Sequence, residues 1–304
     1  MRRWLAALLL LGAGLAQAQQ QVPTFRVNVR LVNVYVNATD AAGAPVANLT
    51  REDFRVSEDN VAQEIKIFEK QSEQPLNIVL AVDTSGSVRK DWQPEIAAAT
   101  RFLHGLMRPV DKVALMEFST HVREVVPFTN NPKLLAAGLK DLRGGYATAM
   151  YQTVQLASQD LRGMAGRKII VVISDGGDTT HGTTYQDAFR AAIGAEASVY
   201  SIIDVPVEAS AGRELGGEHA LITLAEDTGG KFYYAGDPDK LEAAFRQLSS
   251  DLRTQYLIGY YAPERPAADE FRRIAITVKP GAAASGQINL RYRPGYYAPH
   301  SASE

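Results

Sequence analysis

The chain has 304 residues, 46% hydrophobic and 22% charged, with 32 lysines and arginines against 34 aspartates and glutamates and a net charge of −2. That balance excludes a disordered polymer and leaves no basic excess to hold a nucleic-acid backbone. There is no cysteine, which excludes thiol catalysis and a Cys-based zinc site, and the length predicts about two domains, each able to bury a core.

At the N-terminus, Arg2 and Arg3 precede a short apolar run from Leu5 to Leu15, and Ala16-Gln17-Ala18 supplies the small residues that signal peptidase prefers. Residues 1–18 are predicted to be a secretory signal cleaved after Ala18, which makes the protein exported, either periplasmic or extracellular. The alternative is an uncleaved anchor, but the run is short of the ~20 residues that cross a bilayer. No later stretch is long enough, so no transmembrane segment is expected after cleavage. Cleavage removes two arginines and no acids, taking the net charge from −2 to −4.

Residues 25–36, "FRVNVRLVNVYV", alternate with strand periodicity. The phase slips after Leu31, from Phe25, Val27, Val29 and Leu31 to Val32, Val34 and Val36, a pattern that a bulge would produce. After a turn-rich stretch, "DFRVSEDNVAQEIKIFEK" reads as a hairpin turning at Glu58-Asp59-Asn60. Residues 22–74 are thus predicted as an all-β segment.

At Leu76 the pattern changes. Apolar strands are predicted at Leu76–Val82, Lys112–Phe118, Val122–Phe128, Lys168–Ile173, Ser198–Ile203 and Lys231–Tyr234. Helices are predicted at Lys90–Met107, Pro132–Leu142, Ala149–Leu161, Tyr185–Glu196, Gly217–Thr228 and Pro238–Leu252. Continuous apolar strands alternating with amphipathic helices imply an α/β fold, a doubly wound, mostly parallel sheet covered on both faces. After Arg253 the period-two pattern returns. "GYYAP" occurs at 259–263 and 295–299, either as two strand exits ending on proline or as a local duplication. Neither β end has strands enough for a sandwich of its own. The expectation is that 254–299 pairs with 22–74 in one small β-sandwich-like domain, into which the α/β unit, residues 75–250, is inserted. Two unconnected β appendages are the alternative.

In an open α/β sheet, ligands bind outside the carboxyl ends of the strands. The first such end carries Asp83, Ser85 and Ser87. "IIVVISDGGD" delivers Ser174 and Asp175, and "RGGYATAMY" places Thr148 near a helix start. Asp83, Ser85, Ser87, Thr148 and Asp175 are all hard oxygen donors, which select Mg²⁺, Mn²⁺ or Ca²⁺ over zinc and copper. Two carboxylates neutralise one divalent ion and leave positions open. Each of these residues has a plainer reading, since Asp, Ser and Thr at such places also cap helices.

Asp83-Thr84-Ser85-Gly86-Ser87 resembles the Asp-x-Ser-x-Ser signature of von Willebrand factor type A domains. Thr148 and Asp175 match that family's second- and third-loop residues over about residues 75–250. Tyr146 and Ala147 separate the glycine pair from Thr148, where the family often has nothing between. "GAPVANLTREDFRVSEDNVAQEIKIFE" and "RPGYYAP" are similar to the flanks of a subfamily of secreted bacterial proteins with this domain. The resemblance implies a metal-ion-dependent adhesion site holding Mg²⁺ (or Mn²⁺ or Ca²⁺), whose shell a protein partner completes with a carboxylate. It also implies binding rather than turnover, and in relatives ligand capture is coupled to movement of the last helix. The alternatives are a cell-envelope scaffold with a stabilising metal, and a phosphotransferase. The latter needs an acid two residues after Asp83, where this chain has Ser85. Walker A, Gly-x-Ser-x-Gly and HExxH patterns are missing from the sequence. The oligomeric state is left open by the sequence.

Overall fold

The computed structural model describes residues 29–70, 74–86, 92–204, 215–263, 270–282 and 287–298. The predicted signal segment, 1–18, lies outside the described residues. None of the helices among them is long and apolar enough to cross a membrane.

The centre of the chain is a six-stranded sheet. Its strands are β5 (Leu76–Asp83), β6 (Lys112–Phe118), β7 (Val122–Thr129), β8 (Arg167–Ser174), β9 (Ala197–Ile203) and β10 (Phe232–Tyr234), in the order β10-β9-β8-β5-β6-β7. All pairs are parallel except β6 with β7, which closes one edge antiparallel. Helices cover both faces. Leu76, Ile78, Leu80 and Val82 of β5 pack toward α1 (Trp92–Leu106), α2 (Pro132–Lys140) and α6 (Pro238–Arg253). Val79 and Ala81 pack toward α3 (Met150–Leu161), α4 (Tyr185–Ala195) and α5 (Leu215–Asp227). Because both faces are buried, every residue of β5 is buried, and the sequence there reads as a continuous apolar run.

Several helix starts are written in the sequence. Asn131 caps α2 ahead of Pro132, and Asp237 caps α6 ahead of Pro238. Thr184 and Asp187 form a reciprocal capping box on α4. α2 ends two residues earlier than its apolar pattern suggests. Asp141 takes the C-cap there, donating its N–H to the Gly138 carbonyl.

Two antiparallel four-stranded sheets come from both chain ends. One has the order β13-β1-β11-β4, from β1 (Val29–Thr39), β4 (Ile65–Lys70), β11 (Tyr256–Pro263) and β13 (Asn289–Arg291). The other, β14-β12-β2-β3, combines β2 (Phe54–Glu58) and β3 (Val61–Gln63) with β12 (Phe271–Val278) and β14 (Gly295–Tyr297). N-terminal β1 lies between C-terminal β11 and β13, and N-terminal β2 pairs with C-terminal β12. The sheets share a core of Val32, Val34, Val36, Tyr256 and Ile258 against Phe54, Val56, Ile274 and Ile276. The α/β unit is thus inserted into a small β-sandwich made by both ends.

Two local expectations are refined. The Asp59-Asn60 turn has both residues at positive φ, 48° and 65°, as a tight two-residue hairpin requires. The phase slip in β1 is not a bulge, for β1 pairs with β11 without interruption from Val29 to Val36. Leu31 simply sits on the outer face, 36% exposed. The register shift falls instead on β11 against β4, between Gly259 and Tyr260.

A buried polar seam joins the two parts. Arg167, at the start of β8, is 1% exposed. Its guanidinium donates to the Leu252 carbonyl at the end of α6 and to the Gln255 side chain, and lies 5.0 Å from the Tyr35 ring centroid of β1. Gln255 also bonds Asn37 of β1 and, at 3.1 Å, the Tyr200 hydroxyl of β9. Asn37 donates to the Asp251 carbonyl at 3.0 Å.

Candidate metal centre

The strand order reverses at β5: β6 lies on one side and β8 on the other. That switch point opens a crevice at the carboxyl ends of the strands, and β5 and β8 deliver Asp83 and Asp175 to it. Asp83 is 1% exposed. Its Oδ1 accepts the Ser85 backbone N–H at 2.8 Å, its Oδ2 accepts the Ser174 hydroxyl at 2.5 Å, and the Ser85 hydroxyl bonds it as well. α1 begins only at Trp92, so Asp83 does not cap it.

Burial lifts the Asp83 carboxyl from 3.8 to about 6. Bonds from Ser174 and Ser85 oppose the lift, and the negative charge of Asp175 adds to it. Well below its ordinary value of 3.8 the group is protonated whether the chain is folded or not. Above pH 6 the folded chain must hold it ionised, at a disadvantage of about 3 kcal/mol. A cation beside the pair would offset that disadvantage.

Four segments are laced together around this point. Thr84 donates its N–H to the Phe118 carbonyl at 2.8 Å, and its own carbonyl accepts the Gly145 N–H at 2.8 Å. Gly145 approaches Ser119 so closely that a Cβ would stand 2.1 Å from Oγ and 2.4 Å from Cβ of that serine. Thr148, 7% exposed, donates its N–H to the Thr179 hydroxyl at 2.8 Å, and its carbonyl accepts the Thr179 N–H at 2.9 Å. The loop before α3 is thereby fixed to the loop after β8. The N-cap of α3 is Ala149, with no side-chain cap, so the Thr148 hydroxyl is not spent on the helix.

Asp83, Ser85 and Asp175 are therefore brought to one place, and Thr148 sits on a loop bonded to both of theirs. Ser87, the remaining candidate, lies outside the described residues. His181 is exposed and engages Asp178 through its backbone N–H, at 3.2 Å. Among the described residues no group of three or more His, Cys, Asp and Glu side chains is placed to share a metal. A cation here would rest on two carboxylates and on hydroxyls, a donor set that fits a hard divalent ion.

Three supporting residues were not among the predicted ligands, and of them only Ser174 was noted in the sequence, as a polar group at the end of its strand. Ser174 holds the Asp83 carboxylate, and its place just before Asp175 was the available signal. Asp178 accepts the Tyr151 N–H at 2.9 Å and the Thr180 N–H at 2.9 Å, folding the loop after β8 onto the first turn of α3. Glu117, 6% exposed, accepts Arg123 Nε at 2.7 Å and the Arg143 N–H at 2.6 Å, bracing the chain just before the glycine pair. A charged residue near the end of a buried strand was its only mark.

Residues 78–177 match the family model described as the von Willebrand factor type A domain. Solved structures with a similar fold include proximal thread matrix protein 1 from the mussel byssus, at 11% identity over 65% of this chain and 51% of that one, with a TM-score of 0.53. They also include BatB from Bacteroides thetaiotaomicron, at 19% identity over 58% of this chain and 98% of that one, with a TM-score of 0.48. A third is the vWF domain of the type V pili tip protein Mfa5 from Porphyromonas gingivalis, at 14% identity over 58% and 94%, with a TM-score of 0.44. No curated protein matches the chain.

Proposed function

We propose that the β5–β8 edge, in a chain whose residues 78–177 match the von Willebrand factor type A family model, is a divalent-cation site through which an exported protein captures a protein partner. The observation that carries this reading is the meeting of Asp83 and Asp175, both from strand ends at the switch point, with the hydroxyl of Ser85 and the loop of Thr148. Asp83 and Asp175 would carry the charge, and Ser85, Ser87 and Thr148 the neutral donors. Mg²⁺ suits that set, with Mn²⁺ and Ca²⁺ as the other hard candidates. A bound cation would supply a Lewis-acidic point that takes a carboxylate from outside. The chain's own residues keep that point accessible by contributing only two acids, and keep it rigid by the backbone bonds that tie the loops together. On this reading residues 75–250 are the binding module, and 22–74 with 254–299 are its mount.

The test is capture of a partner. Immobilised mature protein should retain a protein from cell-envelope extract in Mg²⁺ and release it in EDTA. Asp83→Ala, with an unchanged circular dichroism spectrum, should retain none. Retention indifferent to both EDTA and the substitution would sink the binding reading. Metal-induced stabilisation without metal-dependent capture would move the protein to the scaffold class.

The laced loops give a second expectation. Gly145→Ala forces the added methyl into Ser119 and shifts the loop that carries Thr148. Mn²⁺ affinity, followed by titration calorimetry, should fall about 10- to 100-fold, as for other residues that orient ligands without touching the metal, while the fold persists. An unchanged affinity would show that the 144–148 loop plays no part in the site.

A further inference from the structure

At the opposite edge of the six-stranded sheet, where β8 and β9 begin, a cavity of about 180 Å³ opens in the seam between the α/β unit and the sandwich. Asn33 and Tyr35 of β1 and Arg293 line it from the sandwich side, and Lys168, Glu196 and Ser198 from the other. We propose that this cavity is a binding site for a small oxyanion, a phosphate or carboxylate group, clamped between Lys168 and Arg293.

The charge of the cavity favours an anion. Among the described residues Glu196 is the one carboxylate lining the cavity, and three cations share it: Arg293 at 3.4 Å, Arg30 at 3.5 Å and Lys168 at 3.8 Å. Lys168 and Arg293 line the half-closed, low-dielectric cavity against Glu196, which leaves one positive charge over, and Arg30 shares Glu196 without lining the cavity. The exposed Glu69 acts on Tyr35 from β4, and the buried Arg167 on the same ring offsets it. Burial pushes the Lys168 ammonium below the usual lysine range; Glu196 opposes this, and Arg293 adds to it. The local surplus is therefore positive.

Hydrogen-bonding groups in the cavity wall are also left unmet. Arg293 is 8% exposed. Its Nη2 donates to the Asn33 carbonyl at 2.7 Å and to Glu196 at 3.4 Å, but its Nη1 is buried with no acceptor. Asn33 Oδ1, in the same wall, has no partner either. A buried guanidinium nitrogen without an acceptor is costly, and an oxyanion is the acceptor that a forked guanidinium fits. An oxyanion that keeps one proton, such as hydrogen phosphate, would also serve the asparagine.

The backbone of Glu196 points the same way. It ends α4 in the left-handed region, at φ 59° and ψ 34°, where glycine is the usual residue. A glutamate held there at a conformational disadvantage places its carboxylate among the three cations, where it can fix the two that line the cavity.

The experiment is thermal denaturation of the mature protein in EDTA, titrated with sodium phosphate or sodium acetate against sodium chloride of equal ionic strength. A saturable rise in melting temperature with one of the two oxyanions, and none with chloride, is expected. The oxyanion that acts identifies the group. Arg293→Gln should abolish the response. Because Arg293 also bonds the β1 backbone, Lys168→Gln is the second variant, and it should weaken half-saturation about tenfold or more, the worth of one charge-assisted hydrogen bond. Asp83→Ala should respond as wild type does, which separates this site from the candidate metal centre. A wild-type melting curve that follows ionic strength alone in both titrations, or a response that survives in both seam variants, overturns the proposal.

Discussion

Magnesium or manganese should raise the melting temperature of the chelator-treated protein, and Asp83→Ala should remove the rise. A ligand at ~100 times its dissociation constant stabilises the folded state by roughly 2.7 kcal/mol. For an α/β unit of this size that is a rise of roughly 5–10 °C. The direction follows from the site, since the metal-free fold buries Asp83 next to the like charge of Asp175, and only the folded chain assembles both with the hydroxyls. Asp83→Asn sharpens the test. It keeps an oxygen for the Ser85 N–H and the shape that Ser174 packs against, but removes the charge. At neutral pH it should therefore melt above the metal-free wild type, because the disadvantage of the buried charge is gone, and it should ignore the metal. If neither ion moves the wild-type curve, the cation site does not exist, whatever the sequence resembles.

The second large effect is expected at the seam. Arg167→Ala should destabilise the protein by about 3–5 kcal/mol, read as a lower denaturant midpoint. The substitution empties the space of the largest fully buried side chain among the described residues. It also strands the Leu252 carbonyl and the Gln255 side-chain oxygen, both acceptors of its guanidinium. Arg167→Lys should recover little, because one ammonium cannot reach two divergent acceptors and stack on Tyr35. A loss below about 1 kcal/mol would mean that the seam contributes little to stability.

What the sequence made readable differs between the two parts of the molecule. The α/β strands were readable because burial on both faces leaves near-continuous apolar runs, and helices such as α2, α4 and α6 begin at Asn131, Thr184 and Asp237, whose caps are local signals. The candidate site was readable because its residues fall in short motifs at strand ends. The braces were not. Ser174, Glu117 and Asp178 act through partners on other segments, and a polar or charged residue near a strand end is all that marks them locally. The seam was still less visible. Asn37 and Gln255 meet across 218 positions, a pairing that no periodicity encodes. The slip in β1 misled because an apolar residue on an outer face, Leu31, mimics a change of phase.

The way the α/β unit is mounted has a mechanical consequence. The strand that leads into it, β4, and the strand that leaves it, β11, are hydrogen-bonded neighbours, with Lys70 opposite Tyr256 where they meet the unit. A pull on the unit therefore reaches the sandwich through two adjacent strand ends at once, and the bonds between them are not the first to be loaded. The load passes to the eight-residue pairing of β11 with β1. A partner tugging at the far edge would thus work against a shared anchorage rather than a single tether.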